Sequence, residues 1–125
     1  TKDFIQKAHR VRKVMGGGMR QVGYLAAAGI FALDNNVTRL GDDHIRAKYI
    51  SNSIQGAPFI VGTALPETNI LMVDLDISAD QYIQKLLAHN MHAIAFGSKR
   101  IRITTHLDVS ENDVEKAIGI MKNLH

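Results

Sequence analysis

Cysteine is absent from the 125 residues, so no disulfide framework holds the chain together, a composition compatible with a reducing compartment. No apolar run is long enough to span a bilayer. The first residues carry Lys2, Lys7, Arg10, Arg12 and Lys13 and lack the apolar core of a signal peptide. A cytoplasmic protein without a membrane partner is expected. Three tyrosines and four phenylalanines are too few for a base-stacking platform, which argues against nucleic acid as the partner. The parts of a metal site are also missing: His89 and His92 stand three apart, but no carboxylate or cysteine cluster completes a set, and no metal is expected. What is present is 46% apolar content, enough for a core, and a net charge of +3. Part of that charge sits in His9-Arg10-Val11-Arg12-Lys13, which reads as a solvated helix face or as a phosphate contact.

The stretch around which the chain is organised is Gly16-Gly17-Gly18-Met19-Arg20-Gln21-Val22-Gly23. Three successive glycines cannot serve packing; they mark a sharp turn or a close approach of the backbone. The run Val22 to Leu33 that follows is apolar and alanine-rich, the pattern of a buried helix. A glycine loop opening such a helix, with Arg20 in its first turn, offers free N–H groups to an anion; the same residues equally describe a plain turn.

In chain order, the spacing of Phe4, Ile5, Ala8 and Val11 predicts a helix over 1–14, ended by the glycines, and a second over 19–34. A third is predicted over 37–54, with Val37, Leu40, His44, Ala47, Ile50 and Ile54 on its apolar face, Asp43 elsewhere, and Asp42 paired with Arg46. His44 is read there as a hydrogen-bonded core residue. Phe59-Ile60-Val61, next to Pro58, predicts an edge strand, and 69–75 a buried central one. Ser78 to Gln81 and Ser110 to Asp113 have capping-box spacing and open helices over 79–90 and from 111 to the end. Between them, 93–96 and 101–105 predict two short strands, the second with Arg100, Arg102 and Thr104 on one face and Ile101, Ile103 and Thr105 on the other. An arginine between isoleucines in a strand is held rigidly, and its planar fork matches a carboxylate. From residue 56 onward the order strand, strand, helix, strand, strand, helix describes an α+β layer on a mostly antiparallel sheet. The helices before it have no sheet to pack on, and the sequence starts mid-helix without methionine. A piece of a longer protein is therefore expected, with the N-terminal portion as its missing partner.

Arg12-Lys13 with Gly16-Gly17-Gly18-Met19-Arg20-Gln21 and Leu25-Ala26-Ala27-Ala28-Gly29 form one set of motifs. Asp43-His44, Thr68-Asn69 and Arg102-Ile103-Thr104-Thr105-His106-Leu107-Asp108-Val109-Ser110 follow in order. Together they closely resemble the C-terminal third of the low-specificity L-threonine aldolases, a group related to the β-eliminating lyases; the match is weakest from Gly56 to Pro66. The resemblance implies the α/β fold type I of pyridoxal-phosphate enzymes, the aspartate-aminotransferase fold. Residues 1–35 would then be helices of the large cofactor-binding domain, 36–55 a linker helix and 56–125 the small α+β domain. It implies a homotetrameric lyase that cleaves L-threonine or L-allo-threonine to glycine and acetaldehyde, in threonine breakdown and glycine formation, with pyridoxal 5'-phosphate as electron sink.

By the same resemblance, Arg102 grips the substrate α-carboxylate and Lys13 also serves the amino-acid substrate, while Arg20, Gly17 and Gly18 serve the cofactor. His106 shapes its loop. The Schiff-base lysine, the histidine that stacks on the pyridine ring and the aspartate that pairs with its nitrogen lie upstream of this segment. No catalytic residue is therefore expected in this chain, and alone it should be inactive. Two other readings stay open: another pyridoxal-phosphate β-eliminating lyase or aldolase of β-hydroxy amino acids, and a basic nucleic-acid-binding module.

Overall fold

Helix boundaries follow the capping chemistry. Helix α1, Lys2–Val14, is opened by Thr1, whose hydroxyl accepts from the Phe4 N–H, and carries Asp3 at its start and Arg12 and Lys13 at its end, as the helix dipole favours. Helix α2 runs over Gly23–Asn35. The computed structural model describes all residues, 1–125, and the chain divides into two units, Thr1–Val37 and Thr38–His125.

In the first unit neither helix has a buried residue. Within this chain the apolar second helix is uncovered: Tyr24 is 85% exposed, and Leu25, Ile30, Phe31 and Leu33 are exposed too. An alanine-rich apolar helix needs a surface to pack on, and these 37 residues contain no sheet to supply one.

The second unit has its own core. Helix α3, Leu40–Ser53, is followed by strands β1, Ile60–Thr63, and β2, Ile70–Leu75. Helix α4, Ala79–Leu87, strands β3, Ile94–Ala95, and β4, Arg100–Thr104, and helix α5, Glu111–Lys122, complete it. Both predicted capping boxes form: Ser78 exchanges bonds with Gln81, and Ser110 with Asp113. The strands make one antiparallel sheet in the order β1-β2-β4-β3, so β1 is an edge and β2 is central.

The period-two alternation of β2 sends Leu71, Val73 and Leu75 to one face, where they meet Ile101 of β4. Ile50 and Ile54 of the α3 end, Tyr82 and Leu86 of α4, and Val114, Ile118 and Met121 of α5 cover that face. The helix read as a linker, 36–55, thus gives Ala47, Ile50 and Ile54 to this core. The opposite face of the sheet, with Ile70, Met72, Asp74, Arg100, Arg102 and Thr104, has no helix of this unit on it.

Candidate functional site

The glycine run closes α1. Met15 caps the helix and Gly16 takes φ +82°, a left-handed conformation that costs glycine least. The Gly16 N–H then donates to the Lys13 carbonyl at 3.2 Å and the Gly17 N–H to the Arg12 carbonyl at 2.7 Å, satisfying two of the carbonyls that a helix end leaves free. The chain folds back so tightly that a Cβ on Gly17 would lie 2.8 Å from Arg12 Cγ and 3.1 Å from the Arg12 carbonyl oxygen. One on Gly18 would lie 3.3 Å from Lys13 Cγ. The close approach expected of these glycines is therefore to the last turn of their own helix. Helix α2 begins only at Gly23, after a turn through Gln21 at φ +49°, and its N-cap is Val22, without a side-chain cap. This corrects the expectation that the glycines open the second helix with Arg20 in its first turn.

Lys13 in the last turn of α1 and Arg20 in the turn before α2 are both exposed, and neither side chain has a carboxylate or hydrogen-bond partner in the chain. Lys13, Gly17, Gly18 and Arg20 thus belong to the end of α1 and its connection to α2, within the first unit.

Arg102 belongs to the second unit and sits mid-strand in β4, opposite Met72 of β2 and Ile94 of β3. It is half-buried, and its side chain, like those of Lys13 and Arg20, has no hydrogen bond or ion pair within the chain. Arg100, on the same face two residues earlier, is opposite Asp74 and donates to its carboxylate from Nε. That bond holds the Asp74 carboxyl below the usual carboxylate range and raises the arginine in turn.

A buried polar group escaped the sequence reading. Asp43, 3% exposed, lies on the buried stripe of α3, and its Oδ1 accepts from Arg39 at 3.3 Å and Arg46 at 3.2 Å. The expected Asp42–Arg46 pair is not formed; Arg46 belongs to Asp43. His44 is half-buried and makes no side-chain hydrogen bond; the buried polar residues of this helix are its neighbour Asp43 and Ser51. The signal was present: 43, 47, 50 and 54 step by four, three and four, the period of a buried stripe, whereas a stripe through 44 needs two successive steps of three.

Helix α4 ends at Leu87, so His89 and His92 lie beyond it, where they line a cleft of about 530 Å³ with Met91, Ile103, His106 and Lys116. No three His, Asp or Glu side chains in the chain are grouped so as to hold a metal ion. His106 accepts the Asp108 N–H at Nδ1, 3.3 Å, which braces the loop before α5.

A family model described as beta-eliminating lyase matches residues 1–78, more than half of the chain. The chain belongs to the beta-eliminating lyase family. Among curated relatives, this lyase-family chain is 36% identical over 129 residues to a probable low-specificity L-threonine aldolase 2 of Arabidopsis thaliana, covering 99% of the chain and 36% of the relative. It is 40% identical over 115 residues to the low specificity L-threonine aldolase of Escherichia coli K12, covering 91% of the chain and 33% of that protein. The chain thus spans about a third of the length of these relatives.

Among solved structures, the cystine C–S lyase C-DES in complex with cysteine persulfide matches with a TM-score of 0.62 at 14% identity, over 82% of this chain and 28% of the lyase. The histidinol-phosphate aminotransferase of Clostridium acetobutylicum matches at 0.53 and 17%, over 62% and 24%. These likenesses show the fold: the chain has the fold of the matching part of fold-type I pyridoxal-phosphate enzymes. No helix is long and apolar enough to cross a membrane.

Proposed function

We propose that the protein to which this chain belongs is a pyridoxal-phosphate-dependent aldolase that cleaves L-threonine or L-allo-threonine to glycine and acetaldehyde. In this reading residues 1–35 are helices of its large domain and 56–125 its small domain, and the enzyme is a cytoplasmic homotetramer acting in threonine breakdown. Support comes from the names of the relatives, with identities of 36% and 40%.

The observation that carries the role of this chain is Arg102, a half-buried cation fixed by strands on both sides and without an internal partner. A guanidinium so held is pre-organised for a planar anion, and the substrate α-carboxylate is that anion. It fixes one end of the amino acid and thereby the direction of the bond to be broken. Lys13 and Arg20 flank the glycine turn as unpaired cations, Lys13 to meet the amino-acid substrate and Arg20, with the backbone of Gly17 and Gly18, to meet the cofactor. This donor set fits an anionic group, since no acid of the chain neutralises it. Pyridoxal phosphate, when bound, supplies the electron sink for the pair left on the α-carbon. The lysine that would carry it lies outside this segment in the threonine-aldolase pattern, so the chain binds and orients while the rest of the protein completes the chemistry.

Release of acetaldehyde by the full-length protein from L-threonine and L-allo-threonine, and of benzaldehyde from L-phenylserine, tests the reading. Turnover of threonine is the expected result; efficient cleavage of phenylserine alone would move the assignment to an aldolase of aromatic β-hydroxy amino acids, and none at all would overturn it.

A further inference from the structure

Three motifs quoted above, Asp43-His44, Thr68-Asn69 and Thr104-Thr105-His106, have no part in the reading of the site so far. The structure ties one residue of each to the others. Thr105, 2% exposed, donates its N–H to the Asn69 carbonyl at 3.0 Å and accepts at its own carbonyl from Asn69 Nδ2 at 2.7 Å. Its hydroxyl donates to the backbone carbonyl of Asp43 at 2.7 Å, across 62 residues of sequence. Asp43 is itself locked by Arg39 and Arg46. Every polar group of Thr105 is thus engaged.

The place of this knot in the sheet gives it a purpose. Strand β3 pairs with β4 only at Ala95–Ile101 and Ile94–Arg102. Past Arg102, β4 has a strand on one side alone, β2, through Leu71–Ile103 and Ile70–Thr104. Arg102 is therefore the last residue of β4 held from both sides, and a strand end paired on one side opens more readily than one paired on two. Three residues on, Thr105 extends the pairing with the β2 side by one rung through Asn69 and adds a bond from outside the sheet, to Asp43 in the first turn of α3. A twist of that end would rotate the Arg102 side chain out of its direction, because successive side chains of a strand alternate.

We propose that the Thr105 hydroxyl, its bond to the Asp43 carbonyl and the Asn69 clasp together position Arg102 for the substrate carboxylate. The proposal rests on the reading of Arg102 as the carboxylate anchor. Thr105 touches no reacting atom; it is a positioning residue, and its loss should weaken carboxylate recognition more than chemistry.

The test uses the full-length cofactor-loaded protein and the variants Thr105→Val, Thr105→Ser and Arg102→Lys. Glycine and ethylamine binding are measured by calorimetry, and KM and kcat with L-threonine. Thr105→Val removes the hydroxyl at nearly constant shape and should raise the glycine Kd and the threonine KM about tenfold, with kcat changed less than about threefold. Ethylamine, which has no carboxylate, should bind as to the parent, and Thr105→Ser should restore glycine binding. An unchanged glycine Kd in Thr105→Val, or equal weakening of glycine and ethylamine, overturns the proposal. If Thr105→Val does not fold, Asn69→Ala, which removes only the side-chain clasp, is read in the same way. If Arg102→Lys leaves glycine binding unchanged, it is the reading of Arg102 that fails; if it weakens binding while Thr105→Val does not, the positioning role alone falls.

Discussion

Arg100 and Arg102 stand two residues apart on one face of β4, and only Arg100 has an acid opposite it, Asp74. The strand thereby separates a cation spent inside the fold from one left available. Arg102→Lys keeps one charge but loses the planar fork, and should lower kcat/KM of the full-length enzyme by about 1.5–3 kcal/mol of transition-state binding, roughly 10- to 150-fold. Arg100→Lys should change it by less than about twofold, since exposed pairs contribute little. Steady-state kinetics on both variants checks the contrast, and similar losses in the two would remove the distinction.

Tyr82 has a fully buried ring, packed edge-on to Phe59 with centroids 6.4 Å apart, and its hydroxyl finds no hydrogen-bond partner. Removing that unpartnered group in Tyr82→Phe should stabilise the second unit by about 1–2 kcal/mol, visible as a higher Tm. A lower Tm would mean that the hydroxyl is satisfied after all.

Burial also pushes the Tyr82 phenol up to about 12 from its ordinary 10. The folded state keeps its proton where the unfolded state has lost it, so this contribution is intact below pH 10 and declines between pH 10 and 12, by about 1.4 kcal/mol per pH unit. Denaturant melts across that range should show a loss of stability in the parent that is shallower in Tyr82→Phe.

The acid side has the opposite sign. The Ser110 hydroxyl and N–H hold the Asp113 carboxyl below the usual carboxylate range, and Arg100 does the same for Asp74. Both contribute stability above the unfolded carboxylate range, and that contribution fades as pH falls through their lowered folded values. Ser110→Ala removes the cap of α5 and should lower the Tm at neutral pH while flattening its fall at acid pH, as followed by circular dichroism.

Gly16 and Gly17 should resist substitution for different reasons. Gly16→Ala meets open space but must hold φ +82°, at a cost of about 1 kcal/mol, whereas Gly17→Ala meets the backbone of Arg12 at 3.1 Å and must shift the turn. In the full-length protein Gly17→Ala should therefore displace Lys13 and weaken substrate binding more than Gly16→Ala, although both lower the Tm. Equal effects on substrate binding would argue against a role for the turn.

The elements were legible wherever one local rule decided them. Ser78–Gln81 and Ser110–Asp113 announced two helices through their caps, and the alternation of Ile101 and Ile103 with Arg100 and Arg102 gave β4 its two faces. What sequence alone missed depends on contacts between distant residues. Thr105 reads as one more β-branched strand residue until Asn69 and Asp43 are brought to it. Asp43 reads as surface charge because carboxylates are rarely buried, and only the two arginines on either side of it make burial tolerable. The glycine run misled in a further way: a residue that closes one helix and precedes another carries the same letters, and only φ and the bonds to Arg12 and Lys13 show which helix it serves.

The strand bearing Arg102 is interior, and the sheet's two borders are poor templates for adding another strand. β3 has two residues, and β1, four residues long, begins two residues after Pro58 and has an irregular register between Ile60 and Gly62. Short, irregular borders leave few backbone groups in register for a neighbour. Copies of this unit are thus steered away from continuous intermolecular sheets, and any contact between them must be made by side chains on its helices and loops or on the open sheet face.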